Sequence, residues 1–154
     1  MRRKEREIKD IESIESIISN SDVCRIAIAD HDIPYIVVMN FGYEGGENPC
    51  LWFHCANEGR KLDMIKRNNH VCFQMDTDHN LYFGEKGCDW GMKYSSVVGY
   101  GNISVITDPV LRKTGLDSIM KHYGGDKSFT YDEKVMVRTT ILRLDITEMT
   151  GKKR

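Results

Sequence analysis

Leu51-Trp52-Phe53-His54-Cys55-Ala56-Asn57-Glu58-Gly59-Arg60-Lys61-Leu62 changes character twice within one short run. It opens apolar and aromatic, the composition of a strand. Ala56 to Gly59 is a turn, and from Arg60 onward Leu62, Met64 and Ile65 fall at helical spacing. Two cations therefore open a helix, where backbone N–H groups point outward and the macrodipole is already positive. A phosphate held there by the Arg60 fork and the Lys61 ammonium turns that conflict into a binding site, and Gly59 lets the backbone come close to it. The plainer alternative is a solvated basic pair on an exposed turn.

Working outward, Glu5 to Ser19 carries Ile8, Ile11, Ile14, Ile17 and Ile18 at helical spacing, which predicts an amphipathic helix within residues 1–20 that closes one end of a core. Val23 to Ala29 and Tyr35 to Phe41 read as two strands of a hairpin across the turn Asp30 to Pro34. A glycine-rich loop, Gly42 to Pro49, leads into the third strand, Cys50 to Cys55.

Beyond the Arg60–Arg67 helix, His70 to Asp76 is a fourth strand, and Thr77 to Lys93 reads as a long polar loop. Tyr94 to Ile106 is the longest strand-like segment, and Gly99 and Gly101 within it predict a bend of the kind that lets a sheet close. Asp108-Pro109 starts a helix that stops at Gly124-Gly125. A short helix is expected near Asp132 to Met136, then a last strand, Arg138 to Ile146, and a frayed, flexible tail over 148–154.

Six strands in hairpin succession without a βαβ rhythm predict one mainly β domain over 1–154, an antiparallel barrel with peripheral helices. A length of 154 residues suits one such core. The composition, 40% hydrophobic and 29% charged, is that of a soluble globular protein, and a net charge of -1 argues against a nucleic-acid partner. Neither a secretory h-region nor a run of transmembrane length is visible, so a cytoplasmic location without a membrane partner is expected.

The five cysteines form no C-x-x-C pair, and Cys24, Cys50 and Cys72 lie in apolar runs, as buried thiols do in a reducing compartment. Zinc on His54, Cys55, His70 and Cys72 is disfavoured, because successive strand residues face opposite ways; no metal is expected. The same alternation denies Cys55 its nearest base, His54. His122 and Tyr123 read as surface groups at a helix end, Trp52 as core and Trp90 as loop packing. No dinucleotide or P-loop glycine motif is present.

Taken together, Pro34 to Phe41, Phe53 to Lys61, Ser95-Ser96-Val97-Val98-Gly99-Tyr100-Gly101, Thr150-Gly151-Lys152 and the opening Met1 to Ile8 resemble the flavin-binding split-barrel proteins related to pyridoxamine 5′-phosphate oxidase, and within them the nitroimidazole-resistance proteins. That resemblance implies a six-stranded antiparallel split β-barrel and a homodimer with FMN at the subunit interface. It implies that Ile36, Val37, Val38, Met39 and Asn40 line the isoalloxazine through their backbone. His54 and Cys55 take the strand positions beside the flavin, Gly59, Arg60 and Lys61 the phosphate positions, and Ser96, with Ser95 beside it, the hydrogen-bonding place of a glutamine.

The activity implied is FMN-dependent reduction of small electrophiles such as 5-nitroimidazoles, with His54 as a possible proton donor; the alternative for His54 is a purely structural histidine. The chain lacks the late arginine-bearing segment with which vitamin B6 oxidases hold their substrate. A non-catalytic flavin- or haem-binding barrel is the rival reading, and a cofactor-free interaction domain a third.

Overall fold

The computed structural model describes residues 3–154. Among them eight strands and four helices follow in the order β1 (Glu7–Ile8), α1 (Ile11–Ser19), β2 (Cys24–Asp30), β3 (Ile33–Met39), β4 (Phe41–Glu44), β5 (Cys50–Ala56), α2 (Arg60–Arg67), β6 (His70–Tyr82), β7 (Gly91–Ile106), α3 (Pro109–Gly124), α4 (Glu133–Val137) and β8 (Thr139–Lys153). The strands form one antiparallel sheet in the order β3-β2-β6-β7-β8-β5-β4, with β1 added beside β8. The mainly β class with peripheral helices is as expected; the strand number is eight rather than six.

The two extra strands come from segments whose sequence misleads. Ile8 shares the isoleucine spacing of a helix, yet it pairs with Gly151 in β1, while Asp10 caps the true helix start by accepting from the Ser13 N–H at 2.8 Å. A side chain at Gly151 would press on Ile8 and Ile14, so that glycine admits both. All but the last residue of the expected tail over 148–154 belongs to the second half of β8, where Met149–Lys153 pair with Ser95–Gly99 of β7. The supposed strand 35–41 is broken at Asn40 into β3 and β4, which pair with different neighbours.

The long loop shrinks too, because β6 and β7 stay paired beyond Asp76, past an irregularity at Thr77–Asn80 where Asp78 takes φ 59°, out to Tyr82 and Gly91. The bend expected at the β7 glycines is present as a register shift against β8 between Tyr100 and Gly101.

Each inner position along the strands feeds one core. Ile26 and Ile28, Phe41, Leu51 and Phe53, Phe73 and Met75, Val97, Leu142 and Leu144 pack there with Ile14, Ile17 and Ile18 of α1, each fully buried side chain stabilising by about 1.5–3 kcal/mol. A second cluster of Cys50, Trp52, Leu116, Ile119 and Ile141 seats α3 on the other face of β5 and β8. His122 and Tyr123 near the end of α3 bond the carbonyls of Ser21 and Asp22, and Tyr123 also accepts from the Phe41 N–H, so they brace the fold.

The barrel is split rather than closed. β3 and β4 stand at opposite ends of the sheet path but are joined through Asn40 alone, so the two ends meet there without a ladder between them. β3 bonds only to β2. β4 covers β5 only over Cys50–Phe53, leaving that edge of His54–Ala56 open.

Candidate functional site

Ile36–Met39 of β3 and His54–Ala56 of β5 each keep one edge without a strand partner, and the split between β3 and β4 is the slit of this sheet; the start of α2 neighbours it through Arg60 over Tyr35. Gly59 caps that helix with φ 131° and a single carbonyl, which accepts from the N–H groups of Leu62 (2.9 Å) and Asp63 (3.3 Å). No side chain caps the first turn. Nothing lies within 4 Å of the place where a Cβ on Gly59 would stand, so the uncapped turn borders open space. This is the local arrangement that receives an anionic oxygen.

Both cations belong to that turn. The Arg60 guanidinium stacks over the Tyr35 ring, 4.6 Å from its centroid, which fixes the start of α2 against β3. Leu62, Met64 and Ile65 anchor the helix from beneath. Its far end is tied to the end of β2, where Arg67 forks onto the Asp30 carboxylate at 2.6 and 3.1 Å and Asn68 donates to the Ala29 carbonyl. The turn before it is held as firmly, because Asn57 donates to the Val137 carbonyl and accepts from Thr140 Oγ1. Such bracing keeps the geometry of a site constant.

His54 and Cys55 occupy opposite faces of β5, as strand alternation requires: His54 is exposed, whereas Cys55 packs against the core. Partial burial, and then the Lys61 charge, push the His54 pKa below its ordinary value, so the imidazole is neutral at pH 7. Burial raises the Cys55 thiol pKa although Lys61 opposes the shift, which keeps it protonated.

Ile36 and Val38 face outward from β3, Val37 and Met39 inward. Arg60 thus stands on β3 through Tyr35, and the Lys61 charge reaches both His54 and Cys55, so the start of α2 neighbours β3 and the end of β5, while Val37, Met39 and Cys55 turn to the core. Ser95 and Ser96 stand elsewhere. Both are buried, and Ser96 pairs with Lys152 while His54 pairs with Ile141, a separation along β8 of roughly 36 Å at about 3.3 Å per residue. Ser96 lines a cavity of about 410 Å³ on the outer face of the sheet with Gln74, Asp76, His79 and Tyr94. Ser95, on the inner face, lines a different one with Ile17 and Lys153.

Three features escape a reading of the sequence. Tyr35 is the platform for Arg60, and Asn57 is the lock of the turn. Around Ser96 stands a polar network in which Arg25 donates to Gln74 and Asp76, Gln74 donates to Asp76, His79 pairs with Asp76, and Lys152 donates to the Tyr94 hydroxyl. The Asn in a turn between strand and helix was a signal for the second. The third depends on polar residues 77–82, 91–93 and 148–153, which carry no strand signature and become strand only through their pairing.

The fold recurs in known proteins. The family model described as pyridoxamine 5′-phosphate oxidase matches residues 10–153. A candidate 5-nitroimidazole antibiotic resistance protein from Bacteroides thetaiotaomicron is 34% identical over 96% of this chain and 86% of its own, with a TM-score of 0.83. The flavocytochrome Anf3 from Azotobacter vinelandii (15% identity, 100% of this chain and 72% of its own, TM-score 0.82) and an FAD and heme binding protein from Mycobacterium smegmatis (14%, 96% and 73%, TM-score 0.81) share the fold. No curated protein matches the chain. Among the described residues no helix is long and apolar enough to cross a membrane. With nearly the whole chain matched by the model, the protein belongs to the pyridoxamine 5′-phosphate oxidase family.

Proposed function

We propose that this protein is a homodimeric, FMN-dependent oxidoreductase that reduces small electrophiles of the 5-nitroimidazole class. The observation that carries the reading is the uncapped, doubly cationic start of α2 opening onto a slit between two unpaired strand edges. The residues fit a flavin mononucleotide. Free first-turn amides, the Arg60 fork and the Lys61 ammonium make one clamp, matched to one phosphate, and Gly59 leaves room for it. When bound, the flavin supplies two-electron transfer between a donor and an acceptor.

The chain's own residues hold and orient. The free edges of Ile36–Asn40 and His54–Ala56 present backbone donors and acceptors to a flat heterocycle. Neutral His54 offers an N–H or a lone pair at the slit, and the Lys61 field discourages its imidazolium, so it serves as a positioning group rather than a strong acid. A second copy supplies what one chain lacks. The outward side of β3, β2, β6 and β7 exposes Ile36, Val38, Val98 and Tyr100, an apolar patch suited to an isologous contact that brings Ser96 of one copy towards the slit of the other.

The substrate class follows the likeness to the Bacteroides protein. The visible spectrum of the purified protein, with chromatographic identification of any released flavin, tests the cofactor. Anaerobic addition of NADH and a 5-nitroimidazole tests turnover. Stoichiometric FMN and bleaching of the nitro band are expected. Protein that neither retains nor takes up FMN refutes the proposal, and tight FMN without electron transfer to any nitro compound reduces it to a flavin carrier.

A further inference from the structure

On the outer face of the sheet, far along β8 from the slit, Tyr94 stands at the rim of the 410 Å³ cavity that it shares with Gln74, Asp76, His79 and Ser96. Lys152 Nζ donates to the Tyr94 hydroxyl oxygen at 3.1 Å and lies 5.4 Å from the ring centroid. That contact uses a lone pair of the oxygen and leaves its O–H free to point elsewhere. The Asp76 carboxylate is already occupied by Arg25, Gln74 and His79, and the hydroxyls of Tyr94 and Ser96 are the donors in the cavity that carry an exchangeable O–H.

We propose that this cavity receives the oxygen of the electrophile and that Tyr94, backed by Lys152, delivers its proton. The inference rests on the flavin reading, with the slit of a second copy facing the cavity. For a nitro compound, two electrons from the reduced flavin and two protons convert R–NO2 into R–NO and water. The Tyr94 O–H bond breaks as an O–H bond forms on a nitro oxygen, and the phenolate left behind is stabilised by the Lys152 ammonium. Solvent supplies the second proton, the N–O bond breaks as water leaves, and solvent then reprotonates Tyr94.

Electrostatics favour such an acid. The hydrogen bond from Lys152, then its charge, and further off those of Arg154 and Arg6, hold the phenol below its usual range, while Asp76 and His79 face it across the cavity. A phenol so placed is a better acid near neutrality than a free tyrosine. Ser96 adds a second donor for the same oxygen.

The test uses the full-length chain as wild type, Tyr94→Phe and Lys152→Gln. Near-ultraviolet alkaline difference titration is read first, because it needs no flavin. One tyrosine ionising ahead of the others in wild type is expected, absent in Tyr94→Phe and moved upward in Lys152→Gln; identical titrations in all three overturn the proposal. The photoreduced flavoproteins are then mixed anaerobically with a 5-nitroimidazole. Tyr94→Phe should keep its flavin spectrum and reoxidise about 100-fold more slowly, and Lys152→Gln should shift the alkaline limb of the rate profile upward. Wild-type reoxidation rates in Tyr94→Phe overturn the proposal, whereas absence of flavin from all three chains overturns the flavin reading and the substrate assignment with it. Lys152→Gln, which retains the ring, decides the matter should Tyr94→Phe fail to fold.

Discussion

The Arg60 guanidinium lies 4.6 Å from the centroid of the Tyr35 ring, so the helix that follows the turn is clasped to the free edge strand that precedes it in the chain. Neither residue is a neighbour of the other in sequence, and the stack orients a cation that otherwise has solvent on every side. It fixes the start of α2 against β3.

Replacing Arg60 and Lys61 together by alanine is therefore expected to abolish tight flavin binding while leaving the fold intact. Two charge-assisted hydrogen bonds at about 1.5–3 kcal/mol each correspond to a loss of roughly 100-fold or more. Tyr35→Ala should weaken binding by only about two- to fivefold, the worth of an exposed cation–π contact, and Tyr35→Phe hardly at all. Flavin fluorescence titration measures all three, and unchanged affinity in the double variant refutes the phosphate assignment.

Ile36 and Val38 project from β3 into solvent opposite Ala27 and Arg25 of β2, although both are large and apolar. Lysine at both positions is expected to yield a monomer by light scattering, with flavin lost in parallel because the shared groove is lost. A double variant that stays dimeric and yellow places the interface elsewhere.

Much of the barrel was legible because period-two runs such as Cys24–Ala29 and Cys50–Cys55 alternate cleanly and are bounded by turn residues. The cap Asp108 and the terminator Gly125, with φ 67°, mark α3 as plainly. What stayed hidden was set by partners distant in sequence. Residues 148–153 look like a polar tail, and only β1 and β7 on either side make them a central strand. The start of α2 was readable because Gly59, Arg60 and Lys61 are consecutive in the chain and their arrangement is set by the local turn. Ser96 was readable only as a resemblance, since the cavity it lines with Gln74, Asp76, His79 and Tyr94 depends on a hairpin whose polar arms carry no strand signature.

Removing residues 150–154 tests that central role. It deletes the pairing of Val98, Val97, Ser96 and Ser95 on one side and of Ile8 and Glu7 on the other, and uncovers Val97 and Ile14 in the core. A destabilisation above about 3 kcal/mol is expected, lowering Tm by roughly 6–12 °C for a domain of this size. A truncated chain melting with the wild type shows the strand to be dispensable.

The titration of His54 reports on the charge of Lys61. Partial burial, then the Lys61 charge, depress its folded-state pKa below the ordinary value of 6.5. The unfolded chain therefore binds a proton at a pH where the folded chain does not. The corresponding stability is fully present above pH 6.5 and is lost as pH falls through the folded value. Proton NMR of the ring should show a midpoint below 6.5, and Lys61→Gln should raise it part of the way, because burial remains. Added salt should do the same by screening the lysine. An anion seated on Lys61 neutralises the same charge, so inorganic phosphate at fixed ionic strength is expected to move the wild-type midpoint upward while leaving Lys61→Gln in place. A midpoint indifferent both to Lys61 and to phosphate separates the histidine from the clamp and removes it from the slit's chemistry.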